Sequence, residues 1–146
     1  MPSFFPPCPF LRKRSIIVSK LRKKKVMFMY ISDLHIHSRF SRATSKEGDP
    51  EHLELWARKK GIHLVGTGDF THPQWREELK EKLEPEGNGL YKLKKEYQIR
   101  DAMTPDSIEP RFVVTGEISS IYKKNDKTRK VHNLLILPGL EAADQL

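Results

Sequence analysis

Residues 25–38 read KVMFMYISDLHIHS, an apolar run that leads directly into a polar segment. The run spans residues 25–32 and is typical of a buried strand, because it has the length of a strand and few polar residues. In the extended segment that follows, residues two apart share a face, so we expect Asp33, His35 and His37 to project from one side. Functional sites of barrels and open α/β sheets lie at this carboxyl end of the strands.

The pattern continues as an alternation of helix and strand. Asp49 is a good N-cap, Pro50 suits the first helical position and Gly61 is a stop signal, so a helix is predicted between them. A second buried strand follows at residues 62–69, and Pro73 begins a second helix. The apolar residues at helical spacing are Leu53, Trp56 and Ala57 in the first helix and Trp75, Leu79 and Leu83 in the second.

The second half of the chain is less regular. Residues 84–110 contain several Gly and Pro and many charges without a sustained period, so we predict an insertion or irregular connection there. Residues 111–124 and 128–138 predict two strands of a hairpin, joined by a polar turn at Asn125-Asp126. The expected fold is α/β, with a sheet that begins in parallel order and is unfinished after about four strands.

Composition excludes several classes of protein. The chain has 146 residues, of which 37% are hydrophobic and 32% charged, as expected of one small soluble domain. No apolar run approaches the roughly 18 to 20 residues that cross a bilayer, so no membrane span is expected. The single cysteine, Cys8, permits no internal disulfide and no cysteine-based zinc framework. Any metal must then be held by histidines and carboxylates, and a reducing, cytoplasmic setting is expected.

The net charge of +8 is concentrated at the start of the chain. Residues 1–26 hold 8 of the 27 basic residues and no acidic one, whereas the remaining 19 basic residues are balanced by 19 acidic residues. We expect this Pro-containing tail to be disordered. It is expected to be either a basic extension that binds nucleic acid or the product of a translation start assigned too far upstream. Residues 27–146 are expected to form the domain.

Two further strands end in residues that can bind a metal ion. The second strand runs into GTGDFTHP, which contributes Asp69 and His72, and the third strand reaches Glu117. These residues are expected at the same edge of the sheet as His35 and His37. Each also has a purely structural interpretation: Asp69 as a turn residue, His72 or the residue before it as a helix cap, and Glu117 as a solvated strand end.

The position of His132 depends on the hairpin register. If the two-residue turn pairs Lys124 with Lys127, His132 lies opposite Ser119 and one diagonal step from Glu117 on the same face. That step is about 7 to 8 Å between backbones, close enough for a carboxylate and an imidazole to share one metal ion. A three-residue turn would move His132 to the other face. The structural alternative for His132 is a partly buried strand histidine.

Together these segments resemble a known family. DLHIHS, a strand ending in GTGD, TGEIS and VHNLLIL are similar to the motifs of the polymerase and histidinol phosphatase (PHP) domain. The longer segments GTGDFTHPQW and TGEISSIYKKNDKTRKVHNLLILP resemble the amino-terminal catalytic domain of endonuclease Q and its relatives, some of them known as helicase-associated PHP proteins. The resemblance covers residues 25–146 and implies a distorted (βα)7 barrel, of which this chain is expected to be the truncated first half.

The resemblance also implies a site for two or three divalent metal ions, with zinc expected and manganese or iron as alternatives. His35 and His37 match the histidines that hold one metal. Glu117 matches the glutamate that bridges two metals, and His132 matches the histidine that completes the second. Asp69 matches the aspartate of the second motif and, with Glu117, is implied to be catalytic.

The sequence departs from the family pattern at two positions. Phe70 stands where a histidine commonly follows the second-motif aspartate, and His72 is expected to replace it as a ligand. A further ligand position falls at Ala43, which leaves the third metal site without that ligand. Asp33 is expected to orient a ligand ring, and the alternative is that its carboxylate joins the ligand shell.

The function implied is metal-dependent hydrolysis of phosphodiesters, as in the endonuclease Q relatives that cut DNA beside deaminated or abasic bases, so DNA is the expected partner. Basic residues of the hairpin are expected to contact phosphates, although charged hairpin tips are more often only solvated. They are Lys123, Lys124, Lys127, Arg129 and Lys130. Two alternatives remain: a small-molecule phosphatase such as histidinol phosphatase, and an inactive fragment whose basic tail binds nucleic acid non-specifically.

Overall fold

A computed structural model of the chain describes residues 29–104 and 107–146. The predicted tail at residues 1–26 and the first half of the predicted strand at 25–32 lie outside these ranges. The elements in chain order are β1 (Ser32–Asp33), α1 (Pro50–Lys60), β2 (Leu64–Gly66), α2 (Pro73–Lys82), β3 (Leu83–Gly87), β4 (Leu90–Leu93), a 3-10 helix (Lys95–Tyr97), β5 (Arg111–Lys124), β6 (Lys127–Leu137) and α3 (Leu140–Ala143).

The strands form a mixed sheet in the order β1-β2-β5-β4-β3, and β6 pairs with β5. β1, β2 and β5 run parallel, with Leu64 of β2 registered between Ser32 of β1 and Arg111 of β5. The predicted parallel start of the sheet is therefore confirmed. Because the carboxyl ends of these three strands share one edge, the segments that follow β1 and β2 and the continuation of β5 meet there.

The first helix begins and ends where the sequence predicts. Asp49 caps α1 by accepting a hydrogen bond from the backbone N–H of His52 at 2.9 Å, and Gly61 ends it with a φ of 73°. The predicted buried face is wrong in one position: Trp56 is 50% exposed, and Leu55 is buried in its place.

The second helix ends one residue sooner than predicted, since Leu83 is its extended C-cap and the first residue of β3, but its apolar residues are buried as expected. Trp75, Leu79 and Leu83 are all buried, and the Trp75 indole N–H donates to the carbonyl oxygens of Thr67 and Gly68 at 3.2 and 3.0 Å. These residues belong to a core that includes Phe112 and Val114 of β5. The indole therefore fixes α2 to the backbone at the end of β2.

The expectation of an irregular connection at residues 84–110 is wrong for its first part. β3 and β4 form a hairpin around Asn88 and Gly89, whose φ values of 54° and 75° are those of a tight hairpin turn. An Asn-Gly pair between short apolar segments predicts such a turn, and the surrounding charges obscure the signal.

The hairpin of β5 and β6 has the predicted two-residue turn. Asn125 and Asp126 both have positive φ, 52° and 58°, and Lys124 pairs with Lys127. We call residues 118–134 the arm, because every one of them is exposed. No helix within residues 29–104 and 107–146 is long and apolar enough to cross a membrane.

Candidate metal centre

Two histidines and a glutamate come together at the carboxyl edge of the parallel strands. His35 Nε2 lies 2.6 Å from Oε2 of Glu117, and His37 Nε2 lies 3.7 Å from the same oxygen. One ligand atom from each of the three residues lies within 4.8 Å of the others, a spacing suited to one shared ion. The three residues come from the segment after β1 and from β5, which are separated in the sheet by β2.

Glu117 also contacts His132 across the hairpin. The register places His132 opposite Ser119, as the two-residue turn predicts, and its Nδ1 is hydrogen bonded to Oε1 of Glu117. The two carboxylate oxygens therefore have different partners, His35 on one and His132 on the other. Because its two oxygens have different histidine partners, the Glu117 carboxylate is suited to linking His35 and His132 in one site.

Hydrogen bonds keep the Glu117 carboxylate ionised. The bond to His35, followed by that to His132, lowers the pKa of Glu117 below its ordinary value. The half-exposed rings of His35 and His132 leave this charge accessible from solvent, since their side chains are 52% and 55% exposed.

Asp69 holds His37 instead of adding a fourth group to the cluster. Its Oδ1 accepts a hydrogen bond from Nδ1 of His37 at 3.0 Å, and its Oδ2 accepts from the backbone N–H and the hydroxyl of Ser38 at 2.7 and 2.8 Å. Burial raises the pKa of Asp69, but the bonds from His37 and Ser38 outweigh this and lower the pKa overall. The ionised Asp69 leaves the lone pair of a neutral His37 on Nε2, the nitrogen that faces Glu117.

The structure does not bring His72 into this cluster. His72 is the N-cap of α2: its Nδ1 accepts a hydrogen bond from the backbone N–H of Trp75 at 3.4 Å, and its ring stacks on Phe40 at 4.3 Å between centroids. The structural interpretation of His72 is the one observed, and nothing in the described residues supports its expected place among the ligands.

A cavity of about 470 Å³ adjoins the two histidines. Asp33, His35 and His37 line it on the strand side, and Leu53 and Trp56 of α1 line it on the other. Asp33 thus lies on the same cavity wall as the two histidines, and Ile36 contributes to that wall as well.

Two buried residues beside the site, Ser38 and Phe70, make contacts that the sequence did not indicate. Ser38 is fully buried and donates two hydrogen bonds to Asp69, whereas Phe70 is buried with its ring close to Gly116, the residue before Glu117. Both follow a recognised residue by one position, but their contacts cross from one strand end to another. Only the fold reveals them.

The donor set suits a divalent transition metal. Two imidazole nitrogens and a carboxylate oxygen are typical ligands of zinc, manganese or iron, and the orientation of His37 by Asp69 is the hydrogen bonding usual behind a ligating histidine. The three ligands leave room for further ligands from solvent, because His35 and His37 are both partly exposed. The residues present therefore fit a metal ion.

Fold and site define an α/β protein with a histidine and carboxylate cluster at the carboxyl edge of its parallel strands. Among solved structures, the chain is similar to endonuclease Q of Pyrococcus furiosus, a lesion-specific endonuclease, with 31% identity and a TM-score of 0.56 over 78% of this chain and 23% of that chain. It is equally similar to endonuclease Q in complex with a 27-mer duplex substrate that has an abasic lesion at the active site, with 31% identity and a TM-score of 0.56 over 78% and 24% of the two chains.

The match to a relative found by sequence covers a shorter part of the chain than the structural matches do. Over 49 residues, the chain is 51% identical to an uncharacterized protein of Methanocaldococcus jannaschii, which corresponds to 34% of this chain and 6% of that protein. No protein-family model matches the chain. The chain spans about a quarter of the length of the endonuclease Q structures that it matches.

Proposed function

We propose that this chain contains the metal-binding part of a PHP-type phosphodiesterase, a DNA-repair endonuclease that cuts beside deaminated or abasic bases. The convergence of His35, His37 and Glu117 at one strand edge carries the proposal. Its support from outside the chain is the likeness to endonuclease Q, one structure of which holds a duplex with an abasic lesion.

In this proposal the residues of the site have separate roles. His35 and His37 would hold one divalent ion together with Glu117, and His132 would help the same glutamate to hold a second. Such ions, zinc or alternatively manganese or iron, supply Lewis acidity that activates water and neutralises charge on the phosphate. Asp69 keeps the Nε2 lone pair of His37 directed at the site, and Glu117 stays ionised because of its histidine partners.

The openness of the site favours a polymeric substrate. His35 and His132 are more than half exposed, and the arm extends from Glu117 into solvent. A duplex can approach such a surface, whereas enzymes for small phosphate esters usually enclose them. The cavity beside His35 favours the alternative substrate of the same superfamily, a small phosphomonoester.

The first test is the metal content of the full chain, purified without added metal or a polyhistidine tag and measured by mass spectrometry. We expect about one or more ions per chain, lost in His35→Ala/His37→Ala because both imidazole ligands are gone. His52→Ala/His63→Ala is the matched control, since it removes two histidines that lie outside the cluster. Equal metal content in both double variants would contradict the site assignment.

The second test is activity on three substrates: a duplex with one abasic site, the same duplex without it, and a small aryl phosphate. We expect nicking of the abasic duplex, reduced about a hundredfold or more in Glu117→Gln. Turnover of the aryl phosphate alone would identify a small-molecule phosphatase. DNA binding without turnover, abolished when residues 1–26 are removed, would identify the inactive alternative.

A further inference from the structure

The basic side chains of the arm divide between its two faces. In the paired register, Lys123 and Lys130 project on the face that carries Glu117 and His132, because their strand positions differ from these residues by even numbers. The remaining three, Lys124, Lys127 and Arg129, project on the opposite face. The sequence alone treats all five as one basic cluster, whereas the register separates them.

The cations on the first face extend outward from the site. Lys130 is two residues from His132, about 7 Å along the strand, and Lys123 is six residues from Glu117, about 20 Å. That length equals the axial rise of about six phosphates of one DNA strand. Ile121 lies directly across from Lys130 on the same face and is 65% exposed.

This combination of groups fits a nucleic-acid backbone. The arm carries five cations and one acid, Asp126, while the chain outside the tail is formally neutral, so the arm is a local positive patch. None of the five cations forms an ion pair within residues 29–104 and 107–146. Two cations beside an exposed aliphatic side chain offer contacts to the phosphates and the deoxyribose of a DNA strand.

We propose that the face of the arm carrying Lys130, Ile121 and Lys123 is a DNA-docking surface that aligns one strand with the candidate metal centre. The cations of the opposite face do not contact the duplex held in this way. The inference rests on the proposed function in taking DNA as the partner, and it adds which side chains hold the backbone and in which direction the strand leaves the site.

The test measures binding of the full chain to a fluorescent duplex of about 25 base pairs with one abasic site. Fluorescence anisotropy gives the affinity at several salt concentrations in the presence of a chelator. Lys123→Gln/Lys130→Gln is compared with Lys124→Gln/Arg129→Gln. Each variant loses two positive charges, and the substituted positions of one variant are next in sequence to those of the other. Both variants keep the same tail. The face is therefore the variable that differs.

We expect the first variant to bind about tenfold more weakly, with the slope of log affinity against log salt reduced by about two, and the second variant to bind as the wild type does. Equal losses in both variants, or no loss in either, would overturn the proposal. Tighter binding of polyglutamate than of duplex DNA would identify an acidic protein as the partner and would also overturn it. Because the chelator removes catalysis, failure of the proposed function in the metal and nicking tests remains a separate result.

Discussion

At the scale of residues, Gly116 of β5 packs closely against the ring of Phe70 in the loop after β2. A Cβ at position 116 would lie 2.4 Å from Cδ1 and 2.7 Å from Cε1 of Phe70, whose ring is 1% exposed. Glu117 and Asp69 are the immediate neighbours of these two residues. The contact between a glycine and an aromatic ring therefore joins the strand end that carries Glu117 to the loop that carries Asp69.

We expect Gly116→Ala to lower the free energy of unfolding by about 1 to 3 kcal/mol, because the added methyl group has no space beside the buried ring. Urea titration measures the change. In the double variant Phe70→Leu/Gly116→Ala the smaller side chain makes room, so the loss should be smaller than the sum of the single losses. Strictly additive losses would show that the two residues do not constrain each other.

Individual site residues differ in how far the sequence revealed them. His35, His37 and Glu117 were predicted because residue type and strand position together indicate metal binding. Ser38 was not, since a serine acquires its role only when Asp69, 31 residues away in sequence, is placed beside it. His72 has the residue type of a ligand, yet its position before a proline-initiated helix makes it a cap.

At the scale of elements, α1 contains a buried ion pair whose arginine also joins the helix to the segment after the 3-10 helix. Arg58 donates to Glu54 at 2.8 and 2.9 Å and also to the carbonyl oxygen of Ile99, and both charged residues are at least 95% buried. Ile99 lies within residues 84–110, where the sequence predicted an irregular connection. A hydrogen bond from the buried arginine holds this segment to α1.

We expect Arg58→Met to cost about 3 to 5 kcal/mol of unfolding free energy, because it leaves the Glu54 carboxylate buried without a partner. The double variant Glu54→Leu/Arg58→Met removes both charges and should recover most of the loss. Thermal or urea unfolding followed by circular dichroism checks both. If the double variant is as unstable as the single one, packing around Arg58 rather than the charge is what stabilises α1.

The elements themselves were predicted where local signals are strong. The caps Asp49 and Gly61 gave the bounds of α1, and the Asn125-Asp126 turn gave the register of the arm. The hairpin of β3 and β4 was missed because β3 contains a proline and two glutamates, which weaken the alternation expected of a strand. Pairing with β5 through Tyr91 and its neighbour supplies the stability that this local sequence lacks.

At the scale of the whole molecule, the candidate site connects distant parts of the sheet. His35 and His37 follow β1, an edge strand of only two residues, whereas Glu117 belongs to β5 at the centre. The parallel order of these strands was predicted from the alternation of helix and strand, because such units place strand ends at one edge. Completion of a barrel is a property of contacts beyond this sheet and stays a prediction.

A divalent ion bound by these three residues would link the edge strand to the centre of the sheet and stabilise the fold. Binding to the folded state alone adds about 2.7 kcal/mol when the free ion is at a hundred times its dissociation constant, which corresponds to a rise of about 10 °C in Tm for a domain of this size. We expect this rise in Tm when zinc or manganese is added to chelator-treated protein, and scanning calorimetry measures it. His52→Ala/His63→Ala should keep the rise and His35→Ala/His37→Ala should lose it, because only the latter removes the link between β1 and β5. A rise that persists without His35 and His37 would mean that the ion stabilises the chain from another place, and the cluster would then be only a hydrogen-bonded group of side chains.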